Sequence, residues 1–181
     1  MTHEDHIALL TGGVPAVGGS WADLGSGTGA FTLALGTLLG GEGRILSVDR
    51  DGRALAEQER AMRLRFPRLE LEAVTLDFTT LTAISGLDGI IMANSLHFQR
   101  NAEEVMRRAG DWLKPGGSLV IVEYDVERPS PWVPFPVPFR RLAGIAGTAG
   151  FGPARLLTTR PSRYHRQVYS ALLQKPAADS F

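Results

Sequence analysis

Short apolar runs alternate with longer amphipathic stretches along the first two thirds of the chain. Five strands are predicted, at 21–24, 44–48, 69–76, 87–93 and 118–124. The third, at 69–76, is expected nearer a sheet edge, and the other four are expected to be buried. Apolar residues at helical spacing predict helices at 2–10, 30–39, 51–66 and 101–113. This alternation implies a parallel sheet with helices on both faces. Right-handed crossovers then give a doubly wound, Rossmann-like three-layer α/β fold.

The last third of the chain has a different pattern. Five of the 11 prolines fall between Pro129 and Pro138, which excludes a regular helix or a central strand there. This segment is interpreted as a lid, an apolar pocket, a dimer contact or a packed connection. A short helix is predicted at 140–149, and strands at 154–159 and 164–173 predict a hairpin.

The hairpin brings the predicted sheet to seven strands, mostly parallel with an antiparallel C-terminal pair. Lys114–Gly117 (KPGG) predicts a turn before the fifth strand. The chain shows no internal repeat and no linker, and its 181 residues suit one domain. We therefore predict a single domain over residues 1–181.

The composition limits the chemistry that the chain can perform. It contains no cysteine, which excludes a disulfide scaffold, a thiolate metal site and a cysteine nucleophile. The N-terminal MTHEDHIALL carries acids and histidines where a secretion signal has basic and then apolar residues. No apolar run reaches the roughly 18–20 residues that a membrane span needs. We expect a soluble, cytoplasmic protein that does not enter a membrane.

The net charge of zero conceals an asymmetry between the two parts of the chain. Residues 1–127 carry 11 basic and 18 acidic side chains, whereas residues 128–181 carry 8 basic and 1 acidic. Such a division indicates either an anionic partner or a basic tail that packs beside the acidic front. The second interpretation is favoured, because the basic excess is spread over some fifty residues.

The strongest chemical signal is a glycine-rich turn between a predicted strand and a buried helix, ADLGSGTGAFT at 22–32. Glycine lets a ligand approach the backbone closely, and the following helix N-terminus favours a negative group. Gly25-x-Gly27-x-x-Ala30 also matches a relaxed dinucleotide fingerprint. Asp23 and the additional Gly29 distinguish a dinucleotide site from a site for a ligand with an ammonium group. A carboxylate at this position suits a ligand with an ammonium group and repels a pyrophosphate.

Further polar residues follow the next three predicted strands. Asp49 ends the second strand and can accept both hydroxyls of a ribose. Asp77 and Phe78 end the third, where an acid and an aromatic ring can bind and pack a purine. Asn94 follows the fourth, at the expected floor of the cleft. His97 lies just beyond it and is a candidate base, since histidine titrates near neutral pH.

Taken together, these motifs resemble those of the class I S-adenosylmethionine-dependent methyltransferases. The resemblance rests on ADLGSGTGAFT at 22–32, VDRD at 48–51, LDF at 76–78, ANSLHF at 93–98 and LKPGGSLVIVEY at 113–124. It covers roughly residues 20–173, and the order and spacing of the set are more specific than any single motif. The predicted C-terminal hairpin also resembles the reversed last strand of that fold.

The resemblance implies a cofactor, S-adenosylmethionine, and a role for each matching residue. The strand end and the glycine turn are expected to bind the methionine part of the cofactor. These residues are Asp23, Gly25, Ser26, Gly27, Thr28 and Gly29. Asp49 is expected to bind the ribose hydroxyls, with Arg50 beside the adenine. Asp77 and Phe78 are expected at the adenine amino group and ring, and Asn94 beside the sulfonium.

The expected reaction is direct in-line transfer of a methyl group to a small or medium-sized acceptor. The basic C-terminal part of the chain is compatible with an anionic acceptor. His97 is the predicted base, with Glu123 and Tyr124 as further candidates. Only about twenty residues precede the first strand, so the acceptor is expected beneath the Pro-rich segment. RNA is a weaker candidate acceptor, because no concentrated basic stripe with interleaved aromatics is present.

Two alternative functions remain open from the sequence. A module could bind the cofactor without catalysis, for instance as the regulatory half of an oligomer, and a homodimer is also compatible with the sequence. A nicotinamide-dependent oxidoreductase is disfavoured by the lack of an evident Tyr-x-x-x-Lys pair and by the predicted hairpin.

Overall fold

The computed structural model describes residues 1–15, 17–82, 84–162 and 167–178. The strands described are β1 (Ser20–Leu24), β2 (Arg44–Asp49), β3 (Glu70–Thr75), β4 (Leu87–Ala93), β5 (Leu113–Tyr124), β6 (Arg155–Pro161) and β7 (Gln167–Gln174). The α-helices described are α1 (His3–Leu10), α2 (Ala30–Leu38), α3 (Gly52–Arg65), α4 (Ala102–Trp112) and α5 (Phe139–Ala146). Single 3₁₀ turns lie at Phe78–Thr80 and Leu96–Phe98.

The strands form one seven-stranded sheet in the order β3-β2-β1-β4-β5-β7-β6. Strands β1 to β5 pair in parallel, whereas β7 runs antiparallel to both β5 and β6. One face carries a core with α4 and α5, and the other carries a core with α1, α2 and α3. The predicted Rossmann-like fold with a reversed C-terminal pair is confirmed. No helix in the described ranges is long and apolar enough to cross a bilayer.

Two helices begin at side-chain caps. Thr2 and Asp5 form a capping box on α1, with the Thr2 N–H donating to Asp5 Oδ2 at 2.9 Å. The carboxylate of Asp51 accepts hydrogen bonds from Arg53 N–H and Ala54 N–H at 2.9 and 3.2 Å. Asp51 is therefore the cap of α3, which leaves Asp49 available for another role.

The predicted turn at Lys114–Gly117 lies inside β5 instead of before it. Leu87 pairs with Leu113 and Gly89 pairs with Ser118, so the residues between Leu113 and Ser118 form a bulge. Gly116 within the bulge has φ +78°, a conformation that favours glycine. Lys114 Nζ contacts Asp88 Oδ1 at 2.5 Å and fastens the bulge to β4.

The Pro-rich segment is a packed connection along the α4–α5 face. Val133 and Val137 are buried. The Tyr169 hydroxyl donates to the Val137 carbonyl at 2.7 Å, and Phe135 N–H donates to the carbonyl of His97 at 3.0 Å. The predicted helix that follows is present, and the hairpin is present as β6 and β7. The start of its second predicted strand, 164–166, lies outside the described residues.

Several basic side chains of the C-terminal part bond within the fold. Arg141 and Arg155 donate to the carbonyls of Pro136 and Gly12 at 2.6 and 3.0 Å. Lys175 donates to two carbonyls near the end of α4, both at 2.8 Å. Arg160 lies 3.8 Å from the carboxylate of Asp5. These contacts favour a basic tail that packs within the molecule.

Candidate functional site

The glycine turn connects the carboxyl end of β1 to the start of α2. Gly25, Gly27 and Gly29 all have positive φ, at +79°, +54° and +86°. The N–H groups of Gly25 and Ser26 donate to the Val48 carbonyl at 2.8 and 3.2 Å, which ties the turn to the end of β2. Thr28 is exposed and Gly29 is buried. The turn is thus fixed at its base and open in its middle.

A cleft of about 230 Å³ opens beside this turn, at the carboxyl ends of β1 to β4. Of the predicted site residues, Gly25, Asp49, Arg50, Phe78 and Asn94 line it together. Four lining residues were not singled out from the sequence: Leu76, Ser95, Phe98 and Gln99. Phe98, a large apolar side chain beside the cleft, is 56% exposed.

The other predicted residues surround the cleft without lining it. They are Asp23, Ser26, Gly27, Thr28, Gly29, Asp77 and His97. The predicted residues thus lie at one edge of the sheet, where some line the cleft and others lie behind it.

Asp23 is a buried carboxylate with one oxygen left unbonded. Its side chain is 1% exposed, and Oδ2 accepts a hydrogen bond from the Thr32 hydroxyl at 2.6 Å. Oδ1 is buried and has no hydrogen-bond partner. Burial raises the pKa of Asp23 to about 7, with the charge of Asp49 acting in the same direction and the Thr32 hydrogen bond against it. An unpaired buried acceptor of this kind fits a ligand that brings an ammonium group.

A chain of buried hydrogen bonds connects Asp23 to helix α3. The amide nitrogen of Gln58 donates to the Thr32 hydroxyl oxygen, and the Ser47 hydroxyl donates to Gln58 Oε1 at 2.8 Å. The hydroxyl oxygens of Ser47 and Ser26 are 2.6 Å apart. Ser47 has a single proton and gives it to Gln58, so Ser26 is the donor in that last pair. All side-chain donors in the chain therefore point toward Asp23.

Gln58 is a supporting residue that sequence reasoning missed. It is fully buried, and it lies on the inner face of α3 with Leu55 and Met62, three residues before it and four after it. A polar side chain inside an apolar stripe is the signal that could have found it, because a buried amide needs partners.

Asp49 holds the glycine turn and the start of α3 at the same time. Its Oδ2 accepts the Gly27 N–H at 2.8 Å, and its Oδ1 accepts the Asp51 N–H at 2.9 Å. Each carboxylate oxygen retains a further acceptor site for a ligand hydroxyl. This arrangement fits the predicted ribose contact.

Asp77 is already engaged by its neighbours. Its Oδ1 accepts the N–H and hydroxyl of Thr79 at 2.9 and 2.7 Å, and its Oδ2 pairs with the guanidinium of Arg50. Burial acts to raise the pKa of Asp77, but the hydrogen bonds from Thr79 and Arg50 outweigh it and hold the pKa below its ordinary value. The carboxylate caps a 3₁₀ turn here, and its contact with an adenine amino group stays a prediction.

Asn94 has an unusual backbone at the floor of the cleft. Its φ is +53°, the one positive value among the described non-glycine residues. Its N–H donates to the Val122 carbonyl at 2.8 Å, while its side-chain Oδ1 is buried without a partner. Strained backbone and unsatisfied polar atoms concentrate at ligand sites. Asn94 therefore supplies a second unpaired acceptor beside the cleft.

His97 forms a buried pair with Glu123. The His97 ring is 2% exposed, and its Nδ1 lies 2.6 Å from Glu123 Oε2. Glu123 Oε1 accepts the N–H groups of Leu96 and His97 at 2.9 and 3.1 Å. The pair fixes the 3₁₀ turn that carries Phe98 to the cleft. The role of His97 as a base stays a prediction.

The Rossmann-like fold thus has a glycine-rich turn, a cleft and two unpaired buried oxygens at the carboxyl ends of its parallel strands. Residues 22–119, more than half of the chain, match the family model described as a methyltransferase domain. The chain belongs to this family, as a class I S-adenosylmethionine-dependent methyltransferase, and its cofactor is S-adenosylmethionine. No curated protein sequence matches the chain.

Solved structures share the fold at low sequence identity. A SAM-dependent methyltransferase from Aquifex aeolicus has a TM-score of 0.72 at 17% identity, with 94% of this chain and 89% of that chain covered. The [4+2]-cyclase SpnF has a TM-score of 0.75 at 18% identity, with 97% and 81% covered. A phosphoethanolamine N-methyltransferase from Haemonchus contortus, in complex with phosphomonomethylethanolamine and S-adenosylhomocysteine, has a TM-score of 0.74 at 14% identity, with 96% and 52% covered.

Proposed function

We propose that the protein transfers the methyl group of S-adenosylmethionine directly to a small or medium-sized acceptor. The observation that carries this proposal is the pair of buried, unpartnered oxygens, Asp23 Oδ1 and Asn94 Oδ1, beside the glycine turn. When bound, the cofactor supplies a methyl group on a positively charged sulfur. Asp23 Oδ1 would hold its ammonium group and Asn94 Oδ1 its sulfonium, and the protein would then have to align a nucleophile. Alignment alone can supply about 7–11 kcal/mol of the barrier.

The proposed residue roles follow the cleft. Asp23 and the turn Gly25–Gly29, including Ser26 and Thr28, hold the methionine part. Asp49 would bind the ribose, with Arg50, Asp77 and Phe78 at the adenine, and Asn94 would contact the sulfonium. Gln58 supports this set through Thr32 and Ser47 without touching the cofactor.

Calorimetric titration with S-adenosylhomocysteine, and separately with NAD, tests the cofactor part of the proposal. We expect micromolar binding of the former and none of the latter. Binding of NAD alone would return Asp23 to a structural role. The name of one structural neighbour, a [4+2]-cyclase, describes a reaction other than methyl transfer. The second candidate for this chain is therefore a protein that binds the cofactor without methyl transfer. Formation of S-adenosylhomocysteine in the presence of an acceptor separates the two candidates.

Replacing Asp49 by Ala is expected to weaken S-adenosylhomocysteine binding by at least about 1–2 kcal/mol, because a charged hydrogen-bond acceptor is lost. Titration calorimetry measures the change. Asp51→Ala is the matched control: it removes a carboxylate two residues away that caps α3 and does not line the cleft. It should cost about 1 kcal/mol of fold stability and leave the affinity unchanged. Equal affinities in the wild type and Asp49→Ala would remove the ribose assignment.

Replacing His97 by Ala is expected to slow turnover without changing cofactor affinity. General-base help is worth typically 10²–10⁴-fold, so a loss in that range supports the proposed role. We also expect His97→Ala to lower the stability of the fold. Without the imidazole, the buried carboxylate of Glu123 keeps only its two backbone N–H donors. Turnover is measured with any acceptor that the wild type methylates, alongside thermal unfolding. Full activity with a lowered melting temperature would make His97 purely structural.

A further inference from the structure

The Pro-rich segment carries an exposed apolar turn that the proposed methyl transfer does not use. The N–H groups of Ser130 and Val133 each donate to the carbonyl of the other residue, at 3.0 and 3.1 Å, and close the turn. Trp132 within the turn is 79% exposed. Two prolines beside it are exposed as well, Pro129 and Pro131. Residues 129–134 therefore form an apolar tip on the surface of the molecule.

The backbone of the apolar tip has few free hydrogen-bond donors. Three of its six residues are proline and have no N–H group. The N–H groups of Ser130 and Val133 are bonded across the turn, and the Val133 N–H also lies 3.1 Å from the Ser130 hydroxyl oxygen. Only the Trp132 N–H has no hydrogen bond to the residues that the structure describes. Because an unpaired N–H group is costly to move out of water, this tip can leave water with little loss of donor bonds.

The base of the apolar tip is fixed to the carboxyl edge of the sheet. The Phe135 N–H donates to the His97 carbonyl at 3.0 Å, in the 3₁₀ turn that follows β4. The guanidinium carbon of Arg100 lies 5.5 Å from the centroid of the Phe135 ring, in a cation–π arrangement. The same 3₁₀ turn carries Phe98. The tip therefore stands on an ordered base at the edge of the sheet that also carries the cofactor cleft.

The surroundings of the apolar tip are cationic. From residue 128 to residue 178 the chain contains no Asp or Glu. Arg128 is exposed and has no ion-pair partner in the described ranges, and the Arg140 side chain is 88% exposed, 3.9 Å from Glu127. Asp125, the next acid before Glu127, accepts the first backbone N–H of α5 at 3.1 Å. The positive charge beside the tip is thus offset only in part, and it suits an anionic partner.

A membrane surface that contains anionic lipids matches both the apolar tip and its charge. Tryptophan concentrates at the boundary between lipid tails and head groups, where its ring has apolar contacts and its N–H has polar ones. Arginine near such a surface is attracted to the anionic head groups. A single-stranded nucleic acid matches less well, because it is bound by several aromatic platforms along a basic groove, and the tip has a single aromatic side chain.

We propose that the apolar tip inserts into the interface of a membrane that contains anionic lipids. Trp132 lies at the level of the head groups, and Arg128 and Arg140 contact the lipid phosphates. The acidic excess of residues 1–127 directs the rest of the molecule away from the anionic surface, so that the carboxyl edge of the sheet faces the membrane. This peripheral contact goes beyond the proposed methyl transfer and does not depend on it. It revises the expectation, drawn from the sequence, of a protein that does not enter a membrane.

Fluorescence of the full chain mixed with lipid vesicles tests the insertion. Trp21 and Trp112 are buried, so Trp132 is the tryptophan that a membrane reaches. We expect vesicles of phosphatidylcholine and phosphatidylglycerol in equal parts to shift its emission to the blue, and brominated acyl chains to quench it. Pure phosphatidylcholine vesicles should bind at least about fivefold more weakly, because one arginine near an anionic surface contributes roughly 1 kcal/mol, a factor of about five.

Co-sedimentation with the same mixed vesicles separates the apolar and the ionic contributions. Trp132→Ala should lower the affinity at least about tenfold, since burial of a large apolar side chain is worth at least the roughly 1.4 kcal/mol of a tenfold change. Leu64→Ala is the matched control, because Leu64 is 87% exposed on α3, on the opposite face of the sheet. Arg128→Glu should lower the affinity for mixed vesicles about 25-fold, two factors of about five, and leave binding to pure phosphatidylcholine unchanged. Arg63→Glu, which changes an exposed arginine in the last turn of α3, is its control.

Binding to mixed vesicles that Trp132→Ala and Arg128→Glu weaken, and that their controls leave unchanged, supports the proposal. The proposal fails if no vesicle binds, if the emission does not shift, or if either variant binds as well as its control. Quenching of Trp132 by a single-stranded oligonucleotide without vesicle binding would assign the tip to a nucleic acid instead. A dimer that Trp132→Ala dissociates, again without vesicle binding, would assign it to a second copy of the chain. These measurements need no cofactor, so their failure would leave the proposed methyl transfer untouched.

Discussion

Asp23→Asn is expected to stabilise the cofactor-free protein at pH 8 while weakening cofactor binding. Asp23 is 1% exposed, and one of its oxygens has no partner, so its ionised form is costly in the free protein. Asparagine keeps an oxygen for the Thr32 hydroxyl but carries no charge. The same charge attracts an ammonium group, so its removal should cost about 1.5–3 kcal/mol of binding free energy.

The raised pKa of Asp23 makes the stability of the fold depend on pH. The pKa of Asp23 is raised from 3.8 to about 7 in the folded state, so the folded protein binds more protons than the unfolded chain between these values. Stability from this residue is therefore present at low pH and lost as pH rises from about 4 to 7. With about 1.4 kcal/mol per pKa unit, the penalty at pH 8 is about 4 kcal/mol. Asp23→Asn removes it.

Denaturant unfolding of the wild type and Asp23→Asn at pH 5 and pH 8 measures the effect. The variant should be the more stable of the two at pH 8 by up to that amount, and the difference should shrink at pH 5. Asp88→Asn is the control of opposite sign. Hydrogen bonds from Lys114 and Ser20 hold the pKa of Asp88 below its ordinary value, against the effect of burial. Its replacement should therefore destabilise the protein at pH 8. A variant Asp23→Asn that is less stable at both pH values would contradict the assignment.

The same charge makes cofactor binding depend on pH. A ligand ammonium beside Asp23 favours the carboxylate, so binding lowers the pKa of Asp23 and releases a proton. Affinity should fall about tenfold per pH unit below about 7. Calorimetry at pH 6 and pH 8 tests this, and Asp23→Asn should lose that dependence.

The parts of the fold that the sequence predicted are those that local patterns determine. The apolar runs at β1 and β4 and the stripe on α4 identified their elements because period and length differ between strand and helix. The parallel order then followed from the alternation of elements. Consequently, the sequence alone places Gly25, Asp49 and Asn94 at one edge of the sheet.

The sequence could not predict which side chains at that edge line the cleft and which support it, because this depends on contacts between residues far apart in the chain. Gln58 supports Asp23 through Thr32, 26 residues before it. His97 and Glu123, 26 residues apart, form a buried pair. Neither spacing nor periodicity records such contacts, so the motifs identified the cofactor, whereas the buried residues that support the cleft required the structure.

Gly27→Ala is expected mainly to weaken cofactor binding, whereas Gly29→Ala is expected mainly to destabilise the fold. The two glycines nevertheless occupy alternate positions of the same turn. A Cβ at Gly29 would lie 2.3 Å from Gln58 Cγ, inside the buried hydrogen-bond chain. A Cβ at Gly27 meets nothing within 4 Å and enters the open space above the turn. Both backbones have positive φ, which costs an alanine about 1–2 kcal/mol. Gly29→Ala adds an overpacking cost of about 1–3 kcal/mol, for a total of about 2–5 kcal/mol.

Denaturant unfolding and S-adenosylhomocysteine titration of both variants separate the two roles. Gly27→Ala should lose only about 1–2 kcal/mol of stability. Its affinity should nevertheless fall at least about tenfold, because the methyl group occupies the space through which a ligand approaches the turn. Gly29→Ala should lose twice as much stability or more, and combining it with Gln58→Ala should relieve the steric part of its loss. Equal stability losses in the two single variants would show that Gln58 moves aside, and the buried chain to Asp23 would then have no fixed geometry for the cofactor to use.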